Sequence, residues 1–379
     1  MKIRADWLHH PAPRAVMAML QGAGHRALYV GGTVRNALYG LAPGDIDIST
    51  DARPERVMEL AAEAGLKAVP TGIDHGTITV VADREGIEVT TFRRDVETDG
   101  RRAVVAFADT IEEDAMRRDF TMNALYADAG GEVIDPLGGL PDLEAHRVRF
   151  VGDAEARIRE DYLRILRFFR FHAWYGDDAA GLDADGLAAC AENAGGIETL
   201  SRERIGAELK KLLAAPDPAP SVAAMAQAGI LARALPGSDH RALAPLIHME
   251  TGAPDPILRL AALGGEDVAT ALRLSRDEAK RLAALREGAK SGQGAAELGY
   301  RMGADLAVGA VLLRAASAGV PPGPDVTLAA QRGAAAKFPV KPADLMPGLQ
   351  GPELGARLKE LEAKWIASGF TLGKDALLS

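Results

Sequence analysis

The sequence has almost no cysteine and no long apolar run. Cys190 is the only cysteine among 379 residues, so one chain can build neither an internal disulfide framework nor a thiolate metal cluster. No uninterrupted apolar stretch approaches the roughly 18 to 20 residues that a membrane-spanning helix requires. The first residues also lack the basic, apolar and small-residue segments of a signal peptide. These absences predict a protein of the reducing cytoplasm that does not enter a membrane.

Positive charge is also scarce. The 44 lysines and arginines are outnumbered by 53 aspartates and glutamates, which gives a formal net charge of −9. This balance argues against a nonspecific nucleic-acid coat protein, which binds through a general excess of positive charge. A polyanion must therefore be bound by local clusters, and the densest of them lies between Arg147 and Arg170. The plainer interpretation of that run is a solvated helical face.

The pattern of the sequence changes after about residue 149. Before this point, short β-branched runs alternate with glycine-rich turns and segments of helical spacing, which predicts a small domain of strands and helices. After it, segments rich in Ala, Leu, Arg and Glu predict helices in series, separated by breaks rich in Pro and Gly. We therefore predict an α+β fold with a head over residues 1–149, followed by helical regions over 150–215, 216–300 and 301–379.

The most informative segment begins where a predicted strand ends in two glycines. Gly31 and Gly32 follow the apolar run that ends at Val30 and precede a helical pattern. Without a Cβ in the way, the backbone there can approach a polyphosphate, and N–H groups at a helix start can bind an anion. A pair of glycines alone indicates little, because most such pairs serve structural turns.

Two aspartates follow within an apolar run that we interpret as one strand. At a spacing of two residues, Asp45 and Asp47 would project from the same face of a sheet. Carboxylates that close repel each other unless a cation lies between them, and Mg²⁺ is the hard cation that such oxygen ligands prefer. Glu88, on another predicted strand, could be a third ligand. The alternative interpretation is a strand edge that carries ordinary solvated acids.

These motifs resemble those of the class II tRNA nucleotidyltransferases, which include CCA-adding enzymes and bacterial poly(A) polymerases. The first motif of that family is similar to Gly31-Gly32-x-Val34-Arg35 followed by Asp45-x-Asp47, although many relatives have Asp where this chain has Asn36. The later motifs appear here in family order, as Arg117–Ala124, Ile134–Leu143, Glu160–Arg164 with Arg167, and Ser201–Glu208. This resemblance covers over half of the chain and is far more specific than any single motif.

The resemblance implies a fold, a chemistry and a set of site residues. The fold would be a polymerase-β-like nucleotidyltransferase head on a mixed sheet, followed by an all-α neck, body and tail, with tRNA bound by the tail. The chemistry would be nucleotidyl transfer with Mg²⁺ on Asp45 and Asp47, and Glu88 as a further catalytic residue. The partners would be tRNA, CTP and ATP. The nucleotide-binding residues would be Gly31, Gly32, Arg35, Arg118, Asp119, Asn123, Asp161, Arg164 and Arg167.

The segment from Glu160 to Phe171 has the pattern of one amphipathic helix. Its predicted buried stripe consists of Ile158, Tyr162, Ile165 and Phe169. Asp161 and Arg164 then project from a different face, where a carboxylate and a guanidinium could together read a Watson–Crick edge. The alternative is a surface salt bridge between residues three apart. The resemblance favours base reading, with Arg204 in either a functional or a supporting role.

We therefore expect a magnesium-dependent enzyme that adds CCA to a tRNA 3′ end without a nucleic-acid template. A poly(A) polymerase and a partial enzyme that adds only CC or only A remain open alternatives. The segment Arg93 to Glu113 has room for a flexible loop, which favours an enzyme that can finish with A. This loop would carry Asp95, Glu97, Asp99, Arg101 and Arg102. A noncatalytic RNA- or nucleotide-binding protein is disfavoured because both aspartates are present, and the oligomeric state is open.

Overall fold

The computed structural model of the protein describes residues 1–99 and 102–379, with side chains described outside 95–105. These residues form two compact units. The first comprises 1–212 with 227–234, and the second comprises 213–226 with 235–379. The predicted division of the helical part into three regions remains a prediction. Within the described residues, no helix is both long and apolar enough to cross a membrane.

The first unit contains a seven-stranded mixed sheet and a separate two-stranded hairpin. In chain order the strands are β1 (Ala27–Val30), β2 (Asp47–Thr50), β3 (Lys67–Gly72), β4 (Thr77–Ala82), β5 (Glu85–Thr91), β6 (Arg93–Asp99), β7 (Arg102–Phe107), β8 (Tyr126–Ala127) and β9 (Val133–Ile134). The order across the large sheet is β3-β4-β5-β2-β1-β8-β9. Only the β2–β5 pair is parallel among the pairings described for this sheet. The predicted α+β class and mixed sheet are thereby confirmed.

One face of the large sheet is buried more deeply than the other, which explains the alternating burial along strand β4. Along β4, Ile78, Val80 and Ala82 are buried while the residues between them are half-buried. Helices α1 (Pro11–Gly22) and α3 (Pro54–Glu63) pack against this strand. A second cluster forms around Leu28, Val30, Phe92 and Tyr126. The remaining helices of the head are α2 (Gly32–Leu38), α4 (Ile111–Met116) and α5 (Leu140–Glu144).

The predicted continuous helix through Asp161 is wrong, because two helices meet there. Helix α6 (Ala154–Glu160) ends at Asp161, whose backbone is extended at φ −154° and ψ 104°. Helix α7 (Leu163–Tyr175) begins two residues later, and Asp161 Oδ1 accepts a hydrogen bond from the Leu163 N–H at 3.1 Å. Asp competes for backbone donors in this way and so favours helix ends over helix interiors. The later helices of this region are α8 (Ala184–Glu192) and α9 (Arg202–Leu213).

Three of the four residues predicted to form the buried stripe are buried in the structure, despite the helix break. Ile158, Ile165 and Phe169 are buried, whereas Tyr162, at the junction, is half-buried. The Tyr162 ring lies against the backbone of Gly196, where a Cβ would overlap the ring. Tyr162 therefore packs across a glycine rather than in the helical stripe.

The segment predicted as a flexible loop forms the hairpin β6–β7 and helix α4. The two strands pair antiparallel from Arg93 opposite Phe107 to Asp99 opposite Arg102. The loop prediction underestimated the strand-forming run Val104-Val105-Ala106-Phe107, which is rich in β-branched and aromatic residues. Arg101 lies outside the described residues, as do the side chains of Asp95, Glu97, Asp99 and Arg102.

The second half of the chain is helical within the described residues. Its helices are α10 (Ala219–Gln227), α11 (Ile230–Ala234), α12 (Leu243–Met249), α13 (Pro256–Leu263), α14 (Val268–Ala271), α15 (Arg276–Lys290), α16 (Ala295–Met302), α17 (Ala304–Ala318), α18 (Val326–Ala335), α19 (Gly351–Ala367) and α20 (Lys374–Leu378). Towards the chain's end, Trp365 packs among Val340, Leu361 and Leu377. Helix α19 therefore buries one side, with Leu361 and Trp365, and exposes most of its other residues.

A buried carboxylate ties helix α4 to the sheet. Asp114 is fully buried and accepts hydrogen bonds from Arg117 Nε (3.0 Å), Arg118 Nη2 (3.1 Å) and the Tyr126 hydroxyl (2.7 Å). Burial alone would raise the pKa of Asp114, but the two guanidinium groups and the hydroxyl outweigh it and lower the pKa to about 2.

Replacing this carboxylate should destabilise the head in a pH-dependent way. The folded-state pKa lies below the ordinary 3.8, so the stabilisation is complete above that value and is lost as the pH falls through about 2. At pH 7, Asp114→Asn should lower the free energy of unfolding by about 2 kcal/mol. Urea unfolding of both proteins from pH 7 to about pH 3 measures this difference, which should shrink on acidification. A difference that is constant with pH would contradict the assignment.

Candidate active site

Three predicted acidic residues lie at one end of the β2–β5 pair. Asp47 begins β2 and is in register with Glu88 on the parallel strand β5, so both side chains project from the same face of the sheet. Asp45 does not belong to the strand, which corrects the prediction of one strand with both aspartates. It lies in the preceding bend, where its carbonyl accepts a hydrogen bond from Thr33 Oγ1 at 2.6 Å. The loop, rather than strand periodicity, thus brings Asp45 to the cleft.

The acids line an open cleft of about 580 Å³. Burial, then the negative charge of Glu88 and, more weakly, that of Asp45, raise the pKa of Asp47 to about 6, against an opposing effect of Arg118. Asp45 and Glu88 are themselves exposed. Asp47 is thus a half-buried carboxylate with two acidic neighbours.

This donor set fits a hard divalent cation in an open site. In the described part of the chain, no group of three or more histidine, cysteine, aspartate or glutamate side chains is arranged to hold a metal ion by itself. Mg²⁺ does not need such a cage, because it commonly binds through one or two carboxylates and completes its shell with water and substrate phosphates. Asp45 and Asp47 offer such oxygens, and the unfavourable charge of Asp47 would be relieved by a bound cation.

The predicted glycine turn lies between β1 and α2. Gly31 has φ +69° and donates its N–H to the Leu125 carbonyl at 3.1 Å, and Gly32 begins the helix. A Cβ on Gly31 would lie 3.2 Å from Arg118 Nη1, so this position needs glycine for its conformation and for the close approach of that guanidinium. The structure therefore brings Gly31, Gly32 and Arg118 together.

Arg35 is held by internal partners. It is 6% exposed and donates to Asn123 Oδ1 at 2.5 Å and to the Tyr175 hydroxyl at 2.8 Å. Its guanidinium also lies over the Tyr175 ring, 4.1 Å from the centroid. These contacts favour a supporting position over the predicted contact with the nucleotide, because the hydrogen bonds described for Arg35 go to internal acceptors.

Asn36 also contacts Arg35, and its amide explains the departure from the family pattern. Asn36 Oδ1 accepts from Arg35 Nη2 at 2.8 Å, while its Nδ2 donates to the Ala42 carbonyl at 2.9 Å. An aspartate could perform the first task but not the second, since an ionised carboxylate has no donor. Asn36 thus ties α2 to the loop that leads to Asp45.

Asp119, Asn123 and Arg167 form the buried centre of the site. Asp119 Oδ1 accepts from Asn123 Nδ2 at 2.9 Å, and Asp119 Oδ2 accepts from Arg167 Nε at 2.7 Å. Burial alone would raise the pKa of Asp119, but Arg167 and the hydrogen bond from Asn123 prevail and lower it to about 2. This ionised carboxylate joins the segment after α4 to helix α7.

Asp161 and Arg164 lie near each other but bind different partners. Asp161 Oδ2 accepts from Arg204 Nη2 at 2.6 Å. Arg164 Nη1 donates to Glu160 Oε2 at 2.6 Å, and its Nη2 donates to the Arg117 carbonyl at 3.1 Å. The alternative of a salt bridge between the two residues is thus not what the structure contains. Each side chain is instead oriented by a partner of its own.

Comparisons with known proteins agree with this geometry. Residues 27–149 match the family described as "Poly A polymerase head domain", and residues 182–241 match "Probable RNA and SrmB- binding site of polymerase A". Human mitochondrial CCA tRNA nucleotidyltransferase 1 is 45% identical over 190 residues, which are 50% of this chain and 44% of that protein. The CCA-adding enzyme of Geobacillus kaustophilus is 41% identical over 224 residues, 59% of this chain and 54% of the relative.

A solved structure is similar over nearly the whole length. The Bacillus stearothermophilus CCA-adding enzyme in complex with CTP has a TM-score of 0.73 and 29% identity, covering 93% of this chain and 91% of that one. The matched segments are similar to the head and RNA-binding regions of the class II CCA-adding enzyme and poly(A) polymerase family. Enzymes of this family typically use a divalent metal ion. The aligned region spans about half the length of the curated relatives.

Several residues that position the predicted site residues were not themselves predicted from the sequence. Tyr175 supports Arg35, Glu160 orients Arg164, and Asp114 binds both Arg117 and Arg118. Glu160 and Asp114 stand within four residues of their arginines, so a search for helical ion-pair spacing would have found them. Nothing in the local pattern distinguishes Tyr175, which lies 140 positions from Arg35.

The raised pKa of Asp47 can be measured directly. Without metal, the Asp47 carboxyl carbon should titrate at about pH 6 in NMR spectra, and Glu88→Gln should lower the midpoint because it removes a negative neighbour. A divalent ion needs the carboxylate, so its affinity should fall as the pH drops below about 6. Glu132→Gln, which changes an exposed acid outside the cleft, should leave the midpoint unchanged. If Asp47 in the unaltered protein titrated near the ordinary value of 3.8, burial and the neighbouring acids would not raise its pKa as described.

Proposed function

We propose that this protein is a CCA-adding tRNA nucleotidyltransferase, which extends a tRNA 3′ end from CTP and ATP without a nucleic-acid template. The observation that carries the proposal is the acidic cleft of Asp45, Asp47 and Glu88, built beside the Gly31 turn in a chain similar to this family. The relatives named above support CCA addition over poly(A) synthesis. The proposed location is the cytoplasm, although the named human relative is mitochondrial.

The proposed chemistry is attack of the RNA 3′-hydroxyl on the α-phosphate of the nucleotide, with release of pyrophosphate. Asp45 and Asp47 would hold Mg²⁺, which when bound lowers the pKa of the attacking hydroxyl and neutralises the triphosphate. The Gly31 turn would place the Arg118 guanidinium close to the backbone at the start of α2. Arg118 lies behind that turn and adds positive charge near Asp47. The protein would act mainly through positioning and charge.

The nucleotide base would be read at the junction of α6 and α7. Arg204 fixes the Asp161 carboxylate, and Glu160 fixes Arg164. A guanidinium carries five N–H donors, of which the bonds described for Arg164 use three. A preoriented acceptor and a preoriented donor group are what a protein needs to select cytosine and adenine in place of a template strand.

The product ladder on a tRNA that lacks its last three nucleotides tests this function. CTP alone should add two residues, CTP with ATP should add three and then stop, and GTP and UTP should add none. A long adenosine tail would indicate a poly(A) polymerase, and a ladder limited to CC or to A would indicate a partial enzyme. Asp45→Ala and Asp47→Ala should abolish every addition and leave tRNA affinity largely unchanged, because these ligands serve chemistry.

A matched acid controls for the loss of charge in those variants. Glu132→Ala removes an exposed carboxylate outside the cleft and should extend tRNA normally. If Asp45→Ala or Asp47→Ala retained turnover, the metal-binding assignment would fail, even if the ladder of the unaltered enzyme were that of CCA addition.

Nucleotide choice should depend on the α6–α7 junction. Asp161→Ala and Arg164→Ala should each cost about 1–3 kcal/mol of discrimination against GTP and UTP, since one partner of the base edge is lost. Arg204→Ala should cause a weaker loss of the same kind, because it only releases Asp161. The measurement is kcat/KM for each of the four nucleotides. Arg159→Ala, on the exposed side of α6, is the control. If both Asp161→Ala and Arg164→Ala kept the preference of the unaltered enzyme for CTP and ATP over GTP and UTP, the junction would have a structural role only.

A further inference from the structure

The second unit contains a concave cavity that is unrelated to the acidic cleft. It has a volume of about 520 Å³ and is bordered by residues of α13, α15 and α17 together with the Gly264–Gly265 turn. This volume lies within the range of about 300–1,000 Å³ that small-molecule sites occupy. The catalytic proposal assigns no role to it.

Three rigid helices form this cavity. Helix α15 begins with a capping box in which the Ser275 and Glu278 side chains each accept the other's backbone N–H. Gly288 of α15 and Gly309 of α17 allow close packing, because a Cβ at Gly309 would lie 2.7 Å from the Leu285 side chain. The residues that follow these glycines on the two helices are therefore held at a fixed separation along the cavity.

The charges around the cavity are all positive. Arg286, Lys290 and Arg314 line it, and none of its lining residues is acidic. The hydrogen bonds described for the two arginines go to backbone carbonyls, from Arg286 Nη2 to Gly264 at 2.5 Å and from Arg314 Nη1 to Gln293 at 2.9 Å. Among the residues with described side chains, no carboxylate forms an ion pair with any of the three.

This arrangement is costly without an anion. Both arginines are half-buried, and burial lowers the pKa of Arg286 because no neighbouring negative charge opposes it. A desolvated cation that lacks a counter-charge is destabilising. In a protein with a net charge of −9, a carboxylate partner would have been easy to supply. The concentration of uncompensated positive charge therefore points to an anion that comes from outside the chain.

We propose that this cavity binds a small phosphorylated ligand. The guanidinium groups of Arg286 and Arg314 present fork-shaped donors that match phosphate oxygens, and Lys290 adds a mobile point charge at the rim. The apolar wall around Leu313 and the neighbouring alanines contacts the uncharged part of the ligand. Because Arg286 and Arg314 are half-buried beside a recess of about 520 Å³, the site favours a compact ligand over an RNA backbone, which is normally followed by a strip of exposed cations.

Calorimetric titration of the full-length protein with pyrophosphate tests the proposal. EDTA is present throughout, so that the acidic cleft holds no metal and repels the anion. The unaltered protein should bind pyrophosphate, and Arg286→Gln and Arg314→Gln should each weaken binding about tenfold or more, the effect of one charge-assisted hydrogen bond. Lys290→Gln, at an exposed position, should weaken it severalfold without risk to folding. Lys280→Gln, also exposed on α15 but outside the cavity, should bind as the unaltered protein does.

Three outcomes would overturn the proposal. The first is the absence of pyrophosphate binding by the unaltered protein, and the second is equal affinity in Lys290→Gln, folded Arg314→Gln and the Lys280→Gln control. The third is a loss of tRNA affinity in the cavity variants while pyrophosphate affinity is unchanged, which would make the cavity an RNA contact. Because the titration requires neither metal nor turnover, its failure would leave the proposed CCA addition untouched, and failure of the product ladder would leave this site untouched.

Discussion

The carboxylate of Asp119 connects the sheet of the head to the helix proposed to read the base. Both oxygens are used, one by Asn123 and the Phe120 N–H and the other by Arg167. Asn123 also accepts a hydrogen bond from Arg35, whose guanidinium lies over the ring of Tyr175. Tyr175 is the last residue of α7, the helix that carries Arg167. Helix α7 is thus attached to the head at two points along its length. A buried charge is tolerated here because every partner is present, and removing any one would leave the others unsatisfied.

The acidic cleft has the opposite electrostatic character. Asp47 and Asp119 are the same residue type in the same unit, yet one has its pKa raised to about 6 and the other lowered to about 2. The difference comes from their neighbours, since Asp47 faces Glu88 and Asp45 whereas Asp119 faces Arg167 and Asn123. A satisfied carboxylate stabilises the fold, and an unsatisfied one remains available to a ligand. The site thus combines a buried carboxylate, Asp119, whose charge is balanced by Arg167, with an acidic cleft around Asp47 whose charge a bound cation would balance.

Sequence patterns predicted the elements of this site better than its internal contacts. The alternation of strands and the paired glycines predicted a mixed sheet with helices correctly, because both reflect local backbone preferences. Asp45 lies in a bend before β2 and not in the strand itself. A spacing of two residues between aspartates fits both arrangements, so the sequence could not distinguish them. The apolar spacing on both sides of Asp161 predicted a continuous helix and gave no sign of the break. The break arises because the Asp161 carboxylate accepts a hydrogen bond from the Leu163 N–H. The contact of Arg35 with Tyr175 depends on the tertiary fold alone.

The partners of the arginines change how a negatively charged nucleotide would be held. Motif resemblance predicted that Arg35, Arg118 and Arg167 bind the nucleotide, but Arg35 contacts Asn123 and Tyr175, Arg167 contacts Asp119, and Arg118 contacts Asp114. Two of these three arginines, Arg118 and Arg167, thus pair with buried carboxylates. Under the proposed function, neutralisation of a triphosphate would then come mainly from a cation on Asp45 and Asp47. Because the cleft is acidic, nucleotide and metal would each weaken the repulsion that opposes the other, so their binding should be mutually dependent.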